Sequence, residues 1–401
     1  MPSKSQARSR QAMTIGQRGN RSRSGVGTFA VLHPAFALTG VMHAIGGALL
    51  PSVSSTFQLT DAQSGSLFSW YFFGTSLGAL FCVRRYVRLI TAGFLVAGLA
   101  CAGVAWLGSS MLAPLFLSLG VGVGIPMTAV SMYVGRRFAD RSAAPLTLLN
   151  FSWSIGAFLA PLFAARILLH HNYRAAYVTL ALAAIVAAAA CWFGLEDDPQ
   201  NHTITRSQTF QVRWVILFAL LTFLEVGIEN TTATWLATYA QRVSRAGTAL
   251  AAAASSLYWC GFLASRGLFS LVLLRADPVK VLRGAVIVGL AAAVLLVTVS
   301  EVQARNAAMI LLGAALAPIF PLLLARFFAG AEDSSNSRWI LAICGFGGSV
   351  LPWLTGWISA TTHNLHFGLA TVPAALFLIL CMMPALRFAP QPLPANPIRP
   401  S

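Results

Sequence analysis

The chain has 401 residues, 57% hydrophobic and only 9% charged, with a formal net charge of +16 and a mean hydropathy of +0.72. A soluble domain carries roughly 25% charged residues, so most of a water-facing surface is missing. That composition excludes a disordered chain and a water-soluble enzyme. At about 20 apolar residues per crossing, the length holds about twelve spans with short connections. The expected fold class is an all-α membrane protein.

Residues 1–27 are polar and basic (Lys4, Arg8, Arg10, Arg18, Arg21, Arg23) and read as a disordered tail. The apolar stretch that follows is too long for the core of a cleaved signal, so it reads as a retained first span. Apolar segments then recur at 28–50, 62–82, 88–108, 111–134, 144–169 and 173–194. After a polar stretch come 212–240, 247–270, 281–300, 306–329, 338–361 and 366–388. The chain therefore divides into a tail at 1–27, a six-helix bundle at 28–195, a central loop at 196–211, a second bundle at 212–388, and a Pro-rich tail at 389–401.

Basic residues test this segmentation. With the N-terminus in the cytoplasm and connections alternating sides, 21 of the 27 Lys and Arg residues fall on the cytoplasmic side. Five fall outside (Arg166, Arg174, Arg242, Arg245, Arg305), and Arg266 lies within a span. The bias supports an even number of spans with both termini cytoplasmic, in a bacterial inner (plasma) membrane. It also assigns the positive charge to topology rather than to nucleic acid. Cys82, Cys101, Cys191, Cys260, Cys344 and Cys381 are scattered singly in apolar stretches and read as small core residues. Gly74 and Gly78 form a small-xxx-small face in the second span, and Gly120, Gly122 and Gly124 thin the fourth. Both features suit closely packed helices in lipid.

Two sets of six helices about a polar loop resemble the major facilitator superfamily. GALLPSVSSTFQLTDAQSGSLFSWYFFGTSLGAL (47–80) is similar to that superfamily's passage from first to second helix, and LNFSWSIGAFLAPLF (149–163) to its fifth. FLEVGIENTTATWLATY (223–239) and YWCGFLASRGLFSLVLLR (258–275) resemble the seventh and eighth helices of the fucose permease-like branch. LLGAALAPIFPLLLA (311–325) and CGFGGSVLPWLTGW (344–357) resemble its tenth and eleventh. The resemblance implies a secondary transporter working by alternating access on a sugar-like solute with protons. It implies no cofactor, no catalytic residues and a monomer in the bilayer. The loop after the second span departs from the superfamily pattern: Arg84 and Arg85 are present, but the usual acid is not. The first six spans also hold no carboxylate apart from Asp61 at a helix mouth and Asp140 in a loop. The second reading is therefore a proton-driven exporter of amphipathic compounds. A membrane-embedded enzyme is a remote third, because His170 and His171 have no acidic partner nearby in sequence.

An ionisable group at a helix centre in the bilayer costs roughly 2.5–3.5 kcal/mol on insertion scales, so such groups point to a pathway. Glu225 and Glu229 lie four residues apart in the seventh span, on one face and about 6 Å from each other. Two such carboxylates in a poorly solvated cavity are not both ionised, so one can load and release a proton. His43 in the first span is a further titratable candidate. Asn150 and Trp153 in the fifth span, with Asn230 and Trp235 in the seventh, supply the amide and aromatic groups that hydroxyl-rich ligands need. Arg266 is expected to gate or to pair with a seventh-span glutamate, in preference to binding an anionic substrate. Arg84 and Arg85 are expected to gate. No metal-ligand spacing is present.

Overall fold

The computed structural model describes residues 4–82, 85–137, 143–196, 212–272, 275–330 and 337–388. In the N-terminal half these form α1 (Lys4–Phe57), α2 (Asp61–Leu80), α3 (Tyr86–Trp106), α4 (Leu112–Arg137), α5 (Ala143–Leu168) and α6 (Tyr173–Gly194). The C-terminal half holds α7 (Val212–Ser244), α8 (Thr248–Val272), α9 (Pro278–Thr298), α10 (Val302–Leu316), α11 (Ile319–Gly330), α12 (Ser337–Thr362), α13 (Leu365–Leu369) and α14 (Thr371–Met382). Helices α10 and α11 share the tenth crossing, α12 is the eleventh, and α13 with α14 makes the twelfth. The tenth is interrupted at Ala317 and Pro318, because proline cannot donate to the preceding turn.

Among the described residues, nine segments are long and apolar enough to cross a membrane. The other three crossings, α2, α7 and α12, are 20, 33 and 26 residues long but carry more polar side chains. These three pack on one another, α2 and α7 each against α12. Their polar groups thus face protein rather than lipid. The trace of α1 begins inside the stretch whose composition predicts disorder; within the helix no proline precedes Pro34, so nothing covalent stops it there. Helix α7 runs four residues past the expected 240, which carries Arg242 out on the helix end.

Local chemistry sets the helix starts. Thr60 and Gln63 form a reciprocal capping box at the start of α2, with Thr60 N–H donating to Gln63 Oε1 at 2.9 Å and Gln63 N–H to Thr60 Oγ1 at 3.2 Å. Asp61 follows in the first turn, where the helix dipole favours an anion. Asp277 caps α9 and Pro278 opens it.

Close approach between helices follows a repeated pattern. A Cβ at Gly120 would meet the Tyr71 carbonyl, and one at Gly74 the Leu117 carbonyl, so α2 and α4 touch backbone to backbone. In the second half Gly313 meets the Tyr258 carbonyl and Gly261 that of Ile310, which repeats the contact between α8 and α10. Likewise Gly156 meets the Ala37 carbonyl (α5 on α1), and Gly347 that of Phe223 (α12 on α7). The halves are therefore structural repeats. Without a hydrophobic drive between helices in lipid, such van der Waals contact is what holds them. By this correspondence His43, six residues after Ala37, occupies the place in the first half that Glu229, six residues after Phe223, occupies in the second. Of the cysteines, Cys82, Cys101 and Cys191 are buried free thiols, but Cys260 and Cys381 face outward rather than into the core. The Cys344 side chain lies outside the described residues.

Candidate functional site

The halves meet through α1 on α7 and α8, α2 on α12, and α5 on α8. At the end carrying Asp61 they are in close contact. A Cβ at Gly47 would meet the Ala233 carbonyl, and one at Gly356 the Asp61 carbonyl. Asp61 accepts from Arg242 through both oxygens (Nη1 to Oδ2 2.7 Å, Nη2 to Oδ1 2.5 Å) and from Ser359 Oγ at 2.5 Å. Burial works to raise the Asp61 carboxyl, but the donors from Arg242 and Ser359 and the guanidinium charge outweigh it and hold it below the ordinary carboxylate range. This latch joins α2 of one half to α7 and α12 of the other.

Deeper in the bundle, His43 Nε2 donates to Asn230 Oδ1 at 3.1 Å, a bond between α1 and α7 and so between halves. Aromatic rings surround the imidazole: Trp153 at 5.2 Å, Phe72 at 5.5 Å, Tyr71 at 6.3 Å and Trp259 at 6.5 Å between centroids. Trp153 and Trp259 meet edge to face at 5.8 Å, and Tyr258 packs on Trp259 at 5.0 Å. Asn230 is held against Gly348, where a Cβ would strike its amide nitrogen.

Several buried polar atoms in this region have no hydrogen-bond partner: His43 Nδ1, Trp153 Nε1, both Glu225 oxygens, Thr231 Oγ1, Thr234 Oγ1, Tyr258 OH, Arg266 Nε and Ser349 Oγ. Orphaned buried groups are rare in folded proteins, so a cluster of them points to a ligand. The set mixes donors and acceptors, which is what a polyhydroxylated solute requires. Glu225 is fully buried, while Glu229 is half-buried. Charge interactions link both glutamates with Tyr258 and with Arg266.

The structure thus brings His43, Trp153, Asn230, Glu225 and Glu229 toward one region, together with Phe72, Tyr71, Tyr258 and Trp259, which sequence reasoning missed. Two expected residues are placed otherwise. Trp235 is fully buried and spends its Nε1 donor on the Pro352 carbonyl at 3.1 Å, packing α7 on α12. Asn150 is exposed, and its amide turns back to the Leu146 carbonyl one helical turn earlier at 2.9 Å. Arg266 does not pair with a seventh-span glutamate. Its Nη1 donates to Ser154 Oγ at 2.9 Å and to the Asn150 carbonyl at 3.5 Å, both on α5. Arg85 is exposed and stands in the left-handed region (φ 58°) as the residue that precedes α3, with no side-chain capping bond; Arg84 lies outside the described residues.

Twelve helical crossings in two structural repeats, with a polar, aromatic-lined region where the halves meet, define a membrane carrier. Residues 32–338 match the model of the Major Facilitator Superfamily, and the chain belongs to that family of membrane transporters. A glucose/galactose transporter of Brucella abortus biovar 1 (strain 9-941) is 27% identical over 358 residues, 80% of this chain and 85% of the relative. Among solved structures, a D-xylose-proton symporter matches with a TM-score of 0.70 at 14% identity, covering 88% of this chain and 97% of its own. FucP in its outward conformation matches with 0.61 at 18%, covering 90% and 98%.

Proposed function

We propose that this transporter moves a hexose-like neutral solute by alternating access, driven by protons that Glu229 and Glu225 load and release. The observation that carries the reading is the set of buried, orphaned donors and acceptors around the His43–Asn230 bond, which joins the halves. The sugar named for the Brucella relative and the proton named for the xylose symporter support it. The solute docks against Trp153 and Trp259, with His43, Asn230 and Tyr258 meeting its hydroxyls. In this reading both termini are cytoplasmic, the membrane is the bacterial inner membrane, and the Asp61–Arg242 latch is the outer gate.

Purified protein in liposomes tests it. An imposed inward proton gradient is expected to accumulate labelled glucose or galactose at least tenfold over a no-gradient control. Glu229→Gln is expected to abolish that accumulation while keeping solute counterflow, because exchange needs no net proton movement. Accumulation that persists in Glu229→Gln removes Glu229 from coupling; hexose counterflow absent from the parent protein removes the hexose reading.

A further inference from the structure

The charges near the site are not matched to each other. Arg266 of α8 has every polar contact in the opposite half, on Ser154 and the Asn150 carbonyl of α5. Its guanidinium lies between the rings of Phe262 at 4.5 Å and Trp153 at 5.4 Å, and its Nε is buried without a partner. Meanwhile both Glu225 oxygens are buried without a partner, and Glu225 and Glu229, in the same half as Arg266, interact with it through charge without an ion pair to it among the described residues. A cation and two acids left unpaired in a low-dielectric interior cost far more than the same groups paired. The arrangement persists only if the acid is neutral or if another state pairs them.

The other groups facing Arg266 leave few alternatives. Helix α5 presents Asn150, Trp153 and Ser154, none of which titrates. Helix α1 presents His43, and α8 itself Tyr258. On α10 the one charged residue, Arg305, is committed to Ser244 Oγ at 2.8 Å and the Ser300 carbonyl at 3.4 Å.

We propose that Arg266 exchanges partners. It ties α8 to α5 while Glu229 holds a proton, and it returns to the Glu229 carboxylate when that proton leaves. The proton departs to water, the carboxylate gains the guanidinium, and Ser154 Oγ is released. The α5–α8 contact between halves is thus made or broken by the charge on Glu229. This rests on the proton-binding role of Glu229 proposed above.

Spin labels at Leu148 on α5 and Leu268 on α8 read the contact directly, since both side chains point outward at 54% and 60% exposure. The background is full-length protein with its six cysteines replaced and hexose counterflow retained. In the parent, the short-distance population is expected to fall at least about twofold from mildly acidic to mildly alkaline pH. Glu229→Gln is expected to stay short at every pH, and Ser154→Ala to lose the short population even in acid. A parent distance that ignores pH, or a Glu229→Gln variant that still responds, overturns the proposal. Hexose uptake by the same protein separates the two readings. Distances that follow Glu229 without proton-driven uptake leave partner exchange standing and sink coupling. Proton-driven uptake with pH-independent distances sinks partner exchange alone.

Discussion

Two tryptophans with the same side chain divide at the level of single atoms. The Trp235 indole N–H is committed to the Pro352 carbonyl, whereas that of Trp153 is buried with no partner beside His43. Removing one partner of a buried hydrogen bond strands the other at a cost of about 1–3 kcal/mol. Trp235→Phe is therefore expected to lower thermal stability in detergent by about that amount and to leave hexose affinity unchanged. Trp153→Phe has no bond to break; it is expected to hold stability within about 0.5 kcal/mol and to weaken hexose binding several-fold. Thermal unfolding with and without hexose measures both, and the opposite assignment of effects would remove Trp153 from the site. The amino-acid sequence nominates both residues but cannot separate them, because the deciding carbonyl is 117 positions away. Glu225 and Glu229 were legible for a different reason: an acid inside an apolar run is conspicuous without any partner. Tyr258 and Trp259 were not, since aromatics are ordinary in membrane helices and only packing around His43 singles them out.

Helices, by contrast, were largely readable from hydropathy. The small-residue faces at Gly74, Gly78, Gly120, Gly122 and Gly124 turn out to be the contact between α2 and its neighbour α4, with Gly122 reaching α3 at Ala97. Hydropathy could not show which helices carry the interface. The three most polar crossings, α2, α7 and α12, stack because their polar groups find protein rather than lipid. The breaks in the tenth and twelfth crossings also escaped it, since both segments remain apolar throughout. The repeated glycine contacts make a stability prediction at this scale. Gly120→Ala and Gly313→Ala each push a methyl into a facing carbonyl and are expected to cost about 1–3 kcal/mol. Gly284→Ala meets nothing within 4 Å in α9 and is expected to be neutral or to gain about 0.5–1 kcal/mol from helix propensity. Unfolding in detergent distinguishes them; equal effects at all three positions would mean the helices separate easily at these contacts.

Over the whole molecule, the closed Asp61 end sets how the two repeats move against each other. Asp61 was visible in the sequence only as an acid at a helix mouth; its partner Arg242 stands 181 residues away on a helix longer than its apolar core suggests. The latch is bidentate, yet the Arg242 side chain is 46% exposed, so solvent screening limits its worth to at most about 1 kcal/mol. That amounts to about a fivefold bias toward the closed end, enough to set a resting state without trapping it. The sign with pH follows from the depressed Asp61 carboxyl. Its contribution is full above the ordinary carboxylate range and is lost as pH falls through the lowered value. At neutral pH the Asp61 end is thus held shut, and acidification on that side loosens it. Thr238, buried on α7 one turn before Arg242, is a suitable reporter as Thr238→Cys. Its labelling by a membrane-impermeant maleimide is expected to quicken about fivefold in Asp61→Asn at neutral pH. With Asp61 intact, pre-incubation in acid is expected to quicken it by a similar factor, and Asp61→Asn to show no further acid effect. If Asp61→Asn labels no faster than the parent, backbone packing at Gly47 and Gly356 closes that end unaided, and the ion pair is incidental to the transport cycle.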